Sequence, residues 1–240
     1  MKTAVIISGQ MRTFARCLPT IKWHVLRKLE DPAFFVSCAE DDNAGSAELL
    51  RAEFPKAQIE IEHVNPPLLD EPPAFLMDYA PYEVTPTKTP GVSPMQGILR
   101  QLWHMSRAWK FAVSKGAAEC DMIIRSRADL HFQRFELNHV PTADFAFVPW
   151  WGNYGGVNDR FAVMGNRAAP AWFETYDVLP DLIAAGCPFH PESLVCASLA
   201  RSDVKILRTL AAEFAFRRAN GDLDHMIPLP GEFAEYSAHL

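Results

Sequence analysis

Short apolar β-rich runs alternate with amphipathic stretches along the first quarter of the chain. Residues 3–8 (T-A-V-I-I-S), 33–39 (A-F-F-V-S-C-A) and a run around Ile59 and Ile61 read as buried strands. Between them, residues 19–29 place Ile21, Trp23, Val25, Leu26 and Leu29 at a roughly helical period. Residues 46–54 read as a short helix with Ser46 at its N-cap. Strand–helix–strand–helix–strand is the pattern of a parallel sheet, because parallel neighbours need a crossover and the crossover is usually helical. The expected fold is α/β, a mainly parallel central sheet flanked by helices, with residues 3–8 as its first and central strand.

Residues 65–94 differ in character: they are proline-rich and carry few periodic apolar positions. A loop of that length is usually a functional lid or a linker. The clearest helix follows at 95–116, where Ile98, Leu99, Leu102, Met105, Trp109, Ala112 and Val113 fall on one stripe. Ser93 and Pro94 suit its N-cap and first helical position. A buried strand is expected over 120–124, with short strands over 145–148 and 160–164 separated by the loop W-W-G-N-Y-G-G-V-N-D. Helices are expected over 166–178 and 191–200, and late strands over 204–207 and 213–217. With no repeat and no compositional break, residues 1–240 read as one domain.

Composition narrows the function classes. Lys and Arg number 23 against 29 Asp and Glu, a net charge of -6, which speaks against a nucleic-acid partner. Five cysteines without a C-x-x-C pair suggest free thiols in a reducing compartment. The start M-K-T-A-V-I-I-S-G is too short for a secretory apolar region, and no stretch has the apolar length of a membrane span. The cytoplasm is the expected location, compatible with peripheral association at a membrane.

The residues that carry chemistry cluster in four motifs. R-S-R-A-D-L (Arg125 to Leu130) follows the apolar run M-I-I and delivers Arg125, Arg127 and Asp129 to the carboxyl edge of a strand, where open α/β sheets bind ligands. Arginine forks suit phosphate oxygens, and a carboxylate beside them suits a divalent cation or a sugar hydroxyl. If the chain stays extended, all three side chains share one face. S-G-Q-M-R-T, ending the first strand, offers Ser8, Gly9, Gln10 and Arg12 to a base, ribose or phosphate; taken alone, it is an ordinary β-to-α turn. G-G-V-N-D-R-F-A-V-M-G places Asn158 and Asp159 after a glycine pair, with Trp150, Trp151 and Tyr154 just before. Those aromatics are suited to stacking on sugars or to filling a core. P-F-H-P-E-S-L-V puts His190 and Glu192 at a helix start, where the dipole favours a carboxylate as a cap or as a base. Asp222, Asp224 and His225 read as an exposed turn. No dinucleotide fingerprint or P-loop occurs.

Taken together, I-I-S-G-Q-M-R-T-F, M-I-I-R-S-R-A-D-L-x-F, G-G-V-N-D-R-F-A-V-M-G and F-H-P-E-S-L resemble GT-A-type glycosyltransferase-like proteins of bacteria and large DNA viruses. The resemblance runs from Ile6 to Leu194 and implies a GT-A-like, Rossmann-like domain that moves a sugar from a nucleotide-diphosphate sugar to a saccharide acceptor. In such enzymes a D-x-D motif holds a divalent metal on the donor diphosphate. Here Arg127-Ala128-Asp129 stands in that place, with arginine for the first acid. The resemblance implies that Asp129 holds Mn2+ or Mg2+, or alternatively that Arg125 or Arg127 neutralises the diphosphate. It further implies that Ser8, Gly9, Gln10, Arg12, Asn158 and His190 bind the nucleotide-sugar. Glu192 is the expected catalytic base, with Asp159 on donor or acceptor sugar or as the alternative base. A sugar nucleotidyltransferase and a non-catalytic carbohydrate-binding protein are the competing classes.

Overall fold

The computed structural model describes residues 1–11, 13–39, 45–62, 94–218 and 220–225. Strand β1 (Thr3–Gln10) leads through α1 (Phe14–His24) to β2 (Ala33–Ala39), then through α2 (Gly45–Glu53) to β3 (Gln58–Glu62). Helix α3 (Pro94–Ser114) precedes β4 (Met122–Arg127), β5 (Leu130–Glu136), β6 (Phe145–Pro149) and β7 (Phe161–Gly165). Helices α4 (Ala168–Phe173), α5 (Leu179–Ala184) and α6 (Pro191–Arg201) follow, then β8 (Lys205–Arg217) and β9 (Leu223–His225).

The main sheet has seven strands in the order β3-β2-β1-β4-β7-β6-β8. Pairs β1–β2, β1–β4, β2–β3 and β6–β8 are parallel. Only β7 opposes its neighbours, β4 and β6. The protein is therefore α/β with a mostly parallel central sheet flanked by helices, compatible with a Rossmann-like fold, and β1 lies inside the sheet as expected. From β1 the chain steps outward to β2 and β3, then returns to β4 on the other side of β1. Strand order thus reverses between β1 and β4, the switch point outside whose carboxyl ends α/β sheets leave a crevice. The long strand β8 pairs with β6 through its first half and with β5 and β9 through its second.

Alternation along β1 explains how both sheet faces are covered. Ala4 and Ile6 pack with Leu99, Leu102 and Met105 of α3, Trp172 of α4 and Leu194 of α6. Val5 and Ile7 pack on the other face with Phe14, Cys17, Leu18 and Ile21 of α1. Each large side chain so buried contributes roughly 1.5–3 kcal/mol of transfer free energy. The α3 stripe is buried at Leu99, Leu102, Met105, Trp109 and Ala112, but Val113 is exposed.

Several local expectations need correction. The helix expected at 19–29 begins at Phe14, carries Pro19 inside it and gives way to a 3-10 turn at Leu26–Lys28. The helix expected over 166–178 is α4 followed by a 3-10 turn, Glu174–Tyr176. The two late strands are one, β8, and β5 was not foreseen. Arg12, Ser93, the side chain of Ser46 and residues 65–93 of the proline-rich stretch lie outside the described residues, as do the side chains of Asp224 and His225. Among the described residues no helix is long and apolar enough to cross a membrane. All five cysteines are free thiols.

Candidate functional site

The carboxyl ends of β1 and β4 lie side by side at the switch point, with Ser8 paired to Arg127 in the parallel register. Ser8 is buried and Gln10 exposed. Between them Gly9 takes φ 113°, a left-handed value, with no atom within 4 Å of an added Cβ. Backbone conformation rather than space therefore asks for glycine here. Arg125 and Arg127 sit two residues apart on β4 and point to the α3 face: Arg127 Nη1 donates to Gln101 Oε1 of α3 at 3.0 Å. Asp129 does not continue the strand as expected. It lies in the tight turn between β4 and β5, and the turn folds it back onto Arg127. Arg127 Nε and Nη2 donate to the two Asp129 oxygens at 2.9 and 2.7 Å, a bidentate fork.

From there an alternation of charges runs into the sheet. Gln101 Nε2 donates to Asp159 Oδ2. The other Asp159 oxygen is 3.5 Å from Arg160 Nη1, and Arg160 Nη2 is 2.7 Å from Glu192 Oε1. His190 Nδ1 lies 2.9 Å from Glu192 Oε2. Arg125 joins from below, its Nη1 donating to the Arg160 carbonyl at 3.0 Å. Asp159 and Glu192 are each 1% exposed, as is Arg125. The sequence motifs thus meet in one place: Arg125, Arg127, Asp129, Asp159, His190 and Glu192 belong to one connected cluster, with Ser8 and Gly9 beside it.

Burial and charge act on these groups in opposite directions. Burial, then the like charge of Arg127, pushes the Arg125 guanidinium down to about 9. Burial also works against Arg127, but Asp129, followed by Asp159 and Glu192, outweighs it and leaves Arg127 raised. Buried ion pairs are hard to justify by stability alone, since well-packed apolar residues often do as well or better. Such a cluster at a sheet's carboxyl edge is the pattern expected of a site.

The loop between β6 and β7 positions the far half of the cluster. Asn158 is fully buried, and its side chain braces this loop: Nδ2 donates to the Trp151 carbonyl at 3.0 Å and Oδ1 accepts from Arg160 N–H at 3.1 Å. Asn158, expected to face a ligand, therefore shapes the loop that carries Asp159 and Arg160. A Cβ on Gly156 would come within 2.0 Å of the Glu192 carbonyl oxygen, so only glycine lets the loop lie against the first turn of α6. Val157 N–H donates to that same carbonyl at 3.1 Å. Trp151 is core, its Nε1 donating to the Ala212 carbonyl at 2.8 Å. Tyr154 is the exposed aromatic, with the Arg160 guanidinium 5.5 Å from its ring centroid.

Sequence reasoning missed Arg160, Gln101 and Phe216. The Phe216 ring has the guanidiniums of Arg127, Arg160 and Arg218 at 4.7, 5.5 and 5.4 Å from its centroid. The only sequence signal for Arg160 was its place directly after Asn158 and Asp159. Asp222 is exposed and bonded locally to Asn220, as an ordinary turn residue is.

Both Asp129 oxygens already accept from Arg127. Among the described residues no group of three or more His, Cys, Asp or Glu gathers, so a metal here would depend on Asp129, waters and the donor's own phosphate oxygens. As arranged, the Arg127 guanidinium stands where a divalent metal would sit on the Asp129 carboxylate, and the two do not fit there together. No protein-family model and no curated protein matches the chain.

Proposed function

We propose that the protein is a GT-A-type glycosyltransferase that moves a sugar from a nucleotide-diphosphate sugar to a saccharide acceptor, in the synthesis of a surface polysaccharide or other glycan in the cytoplasm. The observation that carries this reading is the gathering of Arg125, Arg127 and Arg160, with three carboxylates, at the carboxyl ends of β1 and β4. Guanidiniums fixed in a poorly solvated pocket stabilise the charge that develops on a departing diphosphate, the kind of electrostatic contribution that is usually the largest in catalysis. Ser8, Gly9 and Gln10 take the nucleotide side, and Arg12, two residues on in the sequence, is assigned the same role. Glu192 takes the proton of the acceptor hydroxyl, with Arg160 on one carboxylate oxygen and His190 on the other. Asp159 fixes Arg160 and Gln101 and so orients the donor-facing groups.

A second reading has its own support. Glu192 and Asp159, the two candidate bases, are both almost wholly buried, which suits a protein that binds a nucleotide-sugar without turning it over. One experiment separates the two: release of nucleoside diphosphate from each nucleotide-sugar, with acceptor glycans, by the protein and by Glu192→Gln. The transferase reading expects turnover to fall by at least about a hundredfold in the variant, the scale of a lost general base, while donor affinity changes little. Donor binding without turnover in the unsubstituted protein would establish the binding-protein reading instead.

A further inference from the structure

The Arg127–Asp129 pair differs from the rest of the cluster in being reachable. The side chains of Arg127 and Asp129 keep 27% and 14% of their surface exposed, against 11% and 1% for Arg160 and Glu192. Arg127 is also held in place by groups other than Asp129. Its Nη1 donates to Gln101, and the Phe216 ring lies under the guanidinium. The turn that carries Asp129 is tied by its backbone, where the Asp129 carbonyl accepts from Arg217 N–H at 3.0 Å. With the turn tied by its backbone and Arg127 held by Gln101 and Phe216, the arginine fork stays aimed at the same point when its anion is exchanged.

We infer that Asp129 is an internal stand-in for the ligand's phosphate: its carboxylate fills the anion seat of the Arg127 fork, and a diphosphate binds by displacing it, with no divalent cation between. The inference rests on the nucleotide-diphosphate-sugar reading above and says how that ligand's charge is taken up. A side-on guanidinium fork accepts two carboxylate oxygens or two phosphate oxygens with the same geometry. A divalent metal on Asp129 would share its oxygens with the guanidinium and meet that positive charge at close range. The guanidiniums of Arg160 and Arg218 lie 5.5 and 5.4 Å from the centroid of the same Phe216 ring, so positive charge is concentrated near the fork. That concentration of positive charge suits a diphosphate better than a single phosphate. The step is an exchange of ion-pair partners, with no covalent bond made or broken.

The two possible roles of Asp129 give opposite results when its charge is removed. Binding of inorganic pyrophosphate would be measured by titration calorimetry, in EDTA and in Mn2+, for the protein, Asp129→Asn, Arg127→Gln and the double variant. Pyrophosphate should bind with equal strength in EDTA and Mn2+. It should bind more tightly to Asp129→Asn, by about tenfold for the loss of one competing charge-assisted fork. Arg127→Gln should weaken it by a similar factor, and the double variant should show no gain, which places the effect on the fork rather than on folding. Loss of binding in Asp129→Asn, a requirement for Mn2+, or no pyrophosphate binding at all would overturn the inference. A nucleotide-sugar that binds only with Mn2+ would remove this inference and leave the transferase reading in place. The expected pyrophosphate behaviour with no nucleotide-sugar bound would do the reverse.

Discussion

Along β4, Met122, Ile123 and Ile124 are fully buried between apolar side chains on the two faces of the sheet, and Arg125, the next residue, is as deeply buried but charged. The first half of the strand follows the ordinary rule for a sheet covered on both sides. The second half departs from it. Arg125 makes one hydrogen bond through Nη1, while its Nε is buried with no hydrogen-bond partner among the described residues. A buried polar group left unsatisfied costs about 1–3 kcal/mol. An apolar residue would make a better core there. Residues that break the packing rule are expected at functional or strained sites, and Met122–Ile124 hold the strand that presents this one.

Substitutions in the two halves should therefore fail in different ways. The largest effect on stability is expected in the apolar half. Ile124→Ala should lower the unfolding free energy by about 2–5 kcal/mol in a urea titration, the range for emptying a buried isoleucine site. The folded fraction should still bind donor with unchanged affinity. In the ionic half, Arg125→Met should change the unfolding free energy by no more than about 1 kcal/mol, with a gain the expected direction, because an apolar side chain of similar length removes a desolvated charge. Donor binding, measured by calorimetry, should nevertheless weaken. If Arg125→Met unfolds the protein and leaves binding intact in what remains, the two halves do not divide the work in this way.

The smallest effect concerns the apolar core on the α1 face of the sheet. Cys17 of α1 is buried, and burial, then the nearby Asp129 charge, pushes its thiol up from 9.0 to about 12. In the unfolded chain this thiol ionises near the ordinary value, while in the folded protein it keeps its proton until about pH 12. Between those values the folded state binds more protons than the unfolded one, so its contribution to stability, complete below pH 9.0, declines as pH rises toward 12. Urea midpoints at successive pH values above 9 should fall less steeply for Cys17→Ala than for the unsubstituted protein. Equal slopes would mean that the thiol is not shielded as its burial implies.

Legibility in the sequence followed how local each signal was. Strands β1, β2 and β3 and helix α3 could be read because their apolar periodicity is contained within each segment. Strand β5 escaped because its partner, β8, lies far along the chain and its own surface mixes His131, Gln133 and Arg134 with apolar residues. Strand β8 was split in two because polar residues such as Arg208 interrupt its apolar run where it passes from one sheet to the other. Pro19 suggested a helix start, yet the helix accommodates it beyond its first turn. Arg125, Arg127, Asp159 and Glu192 could be singled out because they lie close to element ends: Arg125 and Arg127 in the last three residues of β4, Asp159 two residues before β7, and Glu192 in the first turn of α6. Asp129 was identified but misplaced, since a tight turn and an extended strand look alike over so few residues. Gln101 and Arg160 acquire meaning only through partners that the fold brings to them from distant segments.

The most direct test is a thermal-shift panel of UDP-, GDP-, dTDP- and CMP-sugars, each with and without Mn2+, on the protein and on Arg127→Gln. A ligand at about a hundred times its Kd adds roughly 2.7 kcal/mol to the folded state, enough to move the melting temperature by several degrees. The expected result is a shift with one class of nucleoside-diphosphate sugar, equal with and without metal and absent in Arg127→Gln. No shift with any donor, or a shift that Arg127→Gln keeps in full, would contradict a nucleotide-sugar site at the carboxyl ends of β1 and β4.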